Sequence, residues 1–75
     1  MSWKKANLDA GAKLFQVNNF TYIKDGITYS LEVDEFQDGA CTGHGEHATD
    51  KSSVIQSVSG GSIEDCLNGL IANIG

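Results

Sequence analysis

Five side chains that are able to bind a metal ion lie within ten residues of one another in the middle of the chain. They are Cys41, His44, Glu46, His47 and Asp50. Thiolate, imidazole and carboxylate groups are protein ligands of zinc, nickel and copper. A strand would point odd- and even-numbered residues to opposite faces, so only a loop would bring these groups together. The chain has no second ligand pair at the spacing of a structural zinc site. We therefore predict no cofactor and keep metal or small-ligand binding as the alternative hypothesis for this segment. Its ligands would be Cys41, His44, Glu46 and His47.

The same cysteine could act as a nucleophile with a histidine as its base. Cys41 precedes His44 by three residues and His47 by six. Catalysis would also need an oxyanion site and an orienting acid, and the sequence indicates neither. The sequence thus favours a protein without catalytic activity, in which Cys41 packs as a small apolar side chain.

Acidic residues on a predicted strand give another interpretation. Glu32 and Asp34 are two residues apart, so they share one face of a strand. His44 and Glu46 belong to the same face if the next strand pairs in the expected register. Such a surface could bind a cationic partner or shift the pKa of a histidine. The predicted protein-binding residues are therefore Glu32, Asp34, His44 and Glu46.

Length and charge exclude several classes of function. The chain has 75 residues, five basic and ten acidic, for a net charge of −5 with both histidines neutral. This length allows one domain. Five scattered cations do not form the basic cluster that binds phosphates, and a negative chain is repelled by anionic membranes. We predict neither a nucleic-acid nor a membrane partner. Two cysteines and no apolar leader favour the cytoplasm, with both thiols reduced.

The elements that must position these residues begin with a β-hairpin. Asp25-Gly26 favours a two-residue type I′ turn. That turn sets Tyr22 opposite Tyr29 and Phe20 opposite Leu31, so the large residues of both strands share one face. The expected strands cover Phe20–Ile23 and Ile27–Val33.

A third strand follows a turn at Gln37-Asp38-Gly39. A loop one residue longer than the tightest turn keeps His44 and Glu46 out of the core, where unpartnered charges are costly. It also turns Gly43 and Gly45 inward, where a helix could approach closely.

A polar loop, 48–53, leads to a short fourth strand over Val54–Val58. Val54 and Val58 are expected on the same face. The strand bears no charge, and an uncharged edge is open to pairing with another chain.

The last element is an amphipathic helix. Ser62 is a good N-cap, with Asp65 at the third helical position. Its apolar stripe contains Ile63, Leu67, Leu70, Ile71 and Ile74, with Cys66 at its edge. The predicted fold is α+β: a three- to four-stranded antiparallel sheet with this helix on its Phe20/Tyr22/Tyr29/Leu31 face. Residues 1–13 form a loosely ordered segment with at most one helical turn, and residues 14–75 form the domain.

Three stretches of this chain resemble the HicB-like family, over about residues 20–74. They are Tyr29–Val33, the Asp38-Gly39 turn, and Val58–Leu67. The resemblance implies an antiparallel sheet covered by a helix, a reduced form of the double-stranded-RNA-binding fold, and an acidic, protein-binding and dimeric domain. The family's proline-bearing segment is missing and the loop from Glu46 to Ser53 is longer. Neither toxin neutralisation nor DNA binding is therefore carried over.

Together these observations predict a small acidic interaction module. It would bind a protein partner, or a second copy of itself, through a sheet edge or through the acidic face.

Overall fold

The computed structural model describes residues 3–50 and 53–74. The chain forms a four-stranded antiparallel sheet followed by one helix, which confirms the predicted α+β fold. The elements are β1 (Phe15–Lys24), β2 (Ile27–Phe36), β3 (Cys41–His47), β4 (Val54–Gly60) and α1 (Ile63–Ile74). The strands lie side by side in chain order. Two residues of the predicted polar loop, 51 and 52, lie outside the described residues. None of the helices in the described part is long and apolar enough to cross a membrane.

The β1–β2 hairpin has the predicted turn and register. Asp25 and Gly26 both have positive φ angles, 52° and 78°, as a type I′ turn requires. Tyr22 pairs with Tyr29, and the centroids of their rings are 6.1 Å apart. Both tyrosines therefore lie on one face of the sheet.

The first strand begins at Phe15, earlier than the predicted start at Phe20. Asn18 and Asn19 are poor strand formers, yet pairing with β2 continues as far as Phe15 opposite Phe36. The side-chain amide of Asn18 also donates a hydrogen bond to the carbonyl of Val33 at 3.2 Å. Pairing with β2 overrides the local preference of this segment.

The third strand has the longer loop and the predicted register, with Gly43 opposite Val33 and facing α1. The prediction for the fourth strand was wrong in one respect. Val54 is 87% exposed, whereas Ile55 is buried beside Val58 in the core. A β-bulge explains the difference, because an extra residue in β4 turns Ile55 to the helix side.

Helix α1 begins as predicted, but the centre of its buried stripe differs from the prediction. The Ser62 hydroxyl accepts a hydrogen bond from the Asp65 amide at 3.1 Å, which confirms the N-cap. Cys66 and Leu70 are the fully buried helix residues, so Cys66 lies at the centre of the apolar stripe and not at its edge. The buried core consists of Leu31, Val33, Cys41, Ile55, Cys66 and Leu70.

The helix packs on β2, β3 and β4. It covers the predicted face, where Leu31 is buried and Tyr22 and Tyr29 pack against the core. Phe20 is less covered and is 37% exposed. Gly69 allows α1 to lie close to β4, because a Cβ atom at this residue would be only 3.1 Å from Val58.

The N-terminal segment contains one 3₁₀ turn, Trp3–Lys5. The side-chain amide of Gln37 donates to three main-chain carbonyls between residues 3 and 6. The Lys4 ammonium lies 2.8 Å from the Glu35 carboxylate. These contacts tie the segment to the end of the sheet that carries the β2–β3 turn.

Candidate functional site

The sheet face opposite α1 is mainly polar at its centre. In the β2–β3 register, Glu32 lies opposite His44, and Ser30 lies opposite Glu46. Asp34 shares this face because it follows Glu32 by two residues. The predicted sharing of one face by Glu32, Asp34, His44 and Glu46 is therefore confirmed. We call this surface the open face; its central residues are Asn19, Ser30, Glu32, Asp34, His44 and Glu46.

Three of these side chains lie close together. Glu32, Asp34 and His44 each direct one ligand atom to within 4.8 Å of the other two. Asp34 Oδ2 lies 3.7 Å from His44 Nε2. On the other side of the imidazole, His44 Nδ1 lies 3.4 Å from the Ser57 hydroxyl. Glu46 instead borders a shallow depression next to this cluster.

Asp34 is the buried member of the cluster. It is 8% exposed, and its Oδ1 atom is buried with no hydrogen-bond partner in the described part of the chain. Native proteins pair nearly all of their buried polar atoms. This oxygen therefore has unused capacity to bind a proton or a cation.

Asp34 changes the pKa of the neighbouring Glu32 carboxyl group. A hydrogen bond with Asp34 raises the pKa of Glu32, and partial burial and the negative charge of Asp34 raise it further. His44 acts in the opposite direction. The two carboxyl groups thus favour a state in which a positive charge or a proton lies between them.

The predicted metal ligands Cys41, His44, Glu46 and His47 are not brought together. Segment 41–47 is a regular strand, so its residues alternate between the two faces. Cys41 is buried beneath α1, and the His47 ring lies edge-on to Tyr29 with centroids 5.5 Å apart. His44 and Glu46 lie on the open face.

His47 has a different role from the one predicted. Its Nδ1 atom accepts hydrogen bonds from the backbone amides of Thr49 at 3.2 Å and Asp50 at 2.8 Å. An acceptor at Nδ1 places the proton of a neutral imidazole on Nε2. Neither ring nitrogen then has a free lone pair for a metal, and His47 instead holds the start of the loop after β3.

Both cysteines are buried and free. Burial is the main cause that raises the pKa of Cys41, and it likewise raises the pKa of Cys66. A reactive cysteine needs a lowered pKa and access to solvent. The environment of Cys41 therefore supports a packing role and not that of a nucleophile.

No family model, no curated protein and no solved structure matches the chain. The resemblance to HicB-like domains stays a prediction.

A second candidate surface is the outer edge of β1, whereas the sequence pointed to the edge formed by β4. In the described residues its one neighbouring strand is β2. Apolar side chains are exposed along it, with Val17 at 46% and Ile23 at 64%. Its only charged residue is the last one, Lys24. The sequence signal was present in the alternating Phe15, Val17 and Ile23, but the strand was expected to begin after the first two.

Proposed function

We propose that the protein is a protein-binding module that pairs through the outer edge of β1, and that the partner is a second copy of the chain. The observation that carries this proposal is a long edge strand with an uninterrupted register, exposed apolar side chains and one charged residue at its end. Natural sheets protect such edges with lysines, prolines, bulges or a covering helix, because unprotected edges pair with other chains.

Backbone geometry supports antiparallel pairing of two β1 strands. The residues that flank a two-residue hairpin loop exchange backbone hydrogen bonds, so Lys24 directs its amide towards β2. By alternation, the odd-numbered residues of β1 direct their amides away from β2. A two-fold axis at Asn19 would pair these outward groups and place Phe15 opposite Ile23 of the second copy. Exposed apolar side chains would then cover each other at both ends of the strand.

The other edge of the sheet, β4, is less suited to this role. It contains the bulge opposite Gly43 and Gly45, and bulges interrupt the row of pairing groups. The side-chain amide of Asn73 in α1 also donates to the carbonyl of Gln56 at 3.0 Å. These features favour β1 over the fourth strand that was expected to pair.

Sedimentation equilibrium of the full chain tests this proposal. We expect a monomer–dimer equilibrium at micromolar concentration, and a monomer for the double variant Val17→Lys/Ile23→Lys, since lysines on an edge oppose pairing. Val54→Lys, a similar change at the exposed start of β4, is the control and should still dimerise. In a sample of mixed isotope labelling, contacts between Phe15 and Ile23 of different copies should appear.

A monomer at high micromolar concentration would contradict the proposal. So would a dimer that is lost in Val54→Lys and kept in Val17→Lys/Ile23→Lys. Urea unfolding of each variant verifies that the compared chains are folded.

We further propose that the protein works in the cytoplasm. Its two buried, free thiols support this location, because they are stable in a reducing compartment.

A further inference from the structure

Two neighbouring strands bring three potential metal ligands to the open face. The ligand atoms of Glu32, Asp34 and His44 all lie within 4.8 Å of one another. Glu32 is directly opposite His44 in the β2–β3 register, and Asp34 is the next residue of β2 on the same face. The pairing of β2 with β3 therefore holds the three groups together without any loop.

One oxygen of the Asp34 carboxyl group has no partner among the described residues. Its Oδ1 atom is buried and has no hydrogen-bond partner within the described ranges, and a second carboxylate lies beside it. The four strands contain one lysine, Lys24, which alternation places on the helix side of the sheet. A buried carboxylate is costly unless hydrogen bonds or a positive partner stabilise it. A cation taken up from solvent would be such a partner.

The distance between Asp34 and His44 is close to the distance between two ligands of one metal ion. Asp34 Oδ2 and His44 Nε2 are 3.7 Å apart, which is too long for a hydrogen bond. Ligand atoms that bind one tetrahedral zinc ion at about 2.0–2.2 Å lie about 3.3–3.6 Å from each other. The Ser57 hydroxyl near Nδ1 orients the imidazole as the outer partners of metal-binding histidines do.

We propose that Glu32, Asp34 and His44 bind one divalent transition-metal ion of the Zn²⁺ type, with water completing its coordination. An imidazole ligand favours such an ion over Mg²⁺ or Ca²⁺, which prefer oxygen ligands alone. The side chain of His44 is 53% exposed, so the ion can reach the site from solvent. This site shares only His44 with the ligand set predicted from the sequence, and it does not depend on pairing through β1.

Titration of the chelator-treated full chain with ZnCl₂ tests the proposal, with calorimetry for affinity and NMR of both imidazole rings. We expect the His44 ring signals to shift and to saturate at one equivalent of Zn²⁺. The His47 ring, whose Nδ1 accepts two backbone amides, is an internal control and should not shift. Glu32→Gln should weaken binding at least tenfold, and His44→Ala should abolish saturable binding.

Glu46→Gln is the matched control, because Glu46 is an acidic residue of the same face outside the cluster. Its affinity for Zn²⁺ should remain within twofold of the parent chain. Equal losses in Glu32→Gln and Glu46→Gln, parallel shifts of both imidazoles, or displacement of Zn²⁺ by equimolar Mg²⁺ would each overturn the proposal. Asp34→Asn alters a buried position, so the exposed His44 and half-buried Glu32 provide the test variants, with circular dichroism to verify folding.

Discussion

Gly43 of β3 lies directly beneath Leu70 of α1. A Cβ atom on Gly43 would be 3.0 Å from Leu70 Cδ1 and 2.9 Å from Val58 Cγ2, whereas carbon atoms in good contact are about 3.5–4.0 Å apart. The helix can therefore pack on β3 at this height only because the position has no side chain. This close approach places Cys66 and Leu70, and not Leu67 and Ile71, at the centre of the helix interface.

Gly43→Ala should therefore destabilise the protein. Its methyl group would overpack the core at Leu70, and overpacking typically costs about 1–3 kcal/mol. Gly61→Ala is the control, because a Cβ there would meet nothing within 4 Å, and its effect should stay within about 0.5 kcal/mol. Urea unfolding followed by circular dichroism measures both. Equal losses for the two variants would contradict the role assigned to Gly43.

Local chemistry made the hairpin predictable, whereas the full length of β1 depends on its neighbour. Asp25-Gly26 selects a turn with two positive φ angles, and that turn determines the register of Tyr22 with Tyr29. No local sequence preference extends β1 back through Asn18 and Asn19. The extension exists because β2 continues to Phe36 and offers pairing partners.

The extension of β1 to Phe15 also explains why only part of the cluster of Glu32, Asp34 and His44 could be predicted from the sequence. Alternation was sufficient to place Glu32, Asp34 and His44 on one face once the register of β3 was chosen. The burial of Asp34 could not be predicted from the sequence, because it depends on two neighbours in adjacent strands. Val17 of β1 lies on one side and Thr42 of β3 on the other. Val17 becomes a neighbour only when β1 starts at Phe15. Likewise, the bulge that turns Ile55 inward leaves no local signal in Val54–Val58.

The two buried thiols should be unreactive in the folded protein. Cys41 and Cys66 are 1% and 0% exposed, and burial raises the pKa of each thiol above its ordinary value of 9.0. Ellman's reagent at pH 8 should therefore react at the rate of global or local opening, and both thiols should react at once in denaturant. Rapid reaction of either thiol under native conditions would contradict the placement of α1 over β3.

The raised thiol pKa values also predict a loss of stability at alkaline pH. A folded-state pKa above the unfolded value means that folding favours the protonated thiol, so this contribution is complete below about pH 9 and is lost as the pH rises through the folded pKa. Urea midpoints measured from pH 7 to 11 check it. The variant Cys41→Ala/Cys66→Ala should show a weaker decline above pH 9, because it lacks both thiols. Identical slopes would exclude the thiols as a cause.

The two histidines should differ in their importance for stability. His47→Ala removes the acceptor of the Thr49 and Asp50 amides and the ring contact with Tyr29, and we expect a loss of about 1–2 kcal/mol. His44→Ala, measured in EDTA so that no metal contributes, should stay within about 0.5 kcal/mol because the residue is exposed. Hydrogen exchange supplies a local measurement: the Thr49 and Asp50 amides should exchange faster in His47→Ala alone. If both variants lose the same stability and those amides stay protected, His47 does not hold the loop.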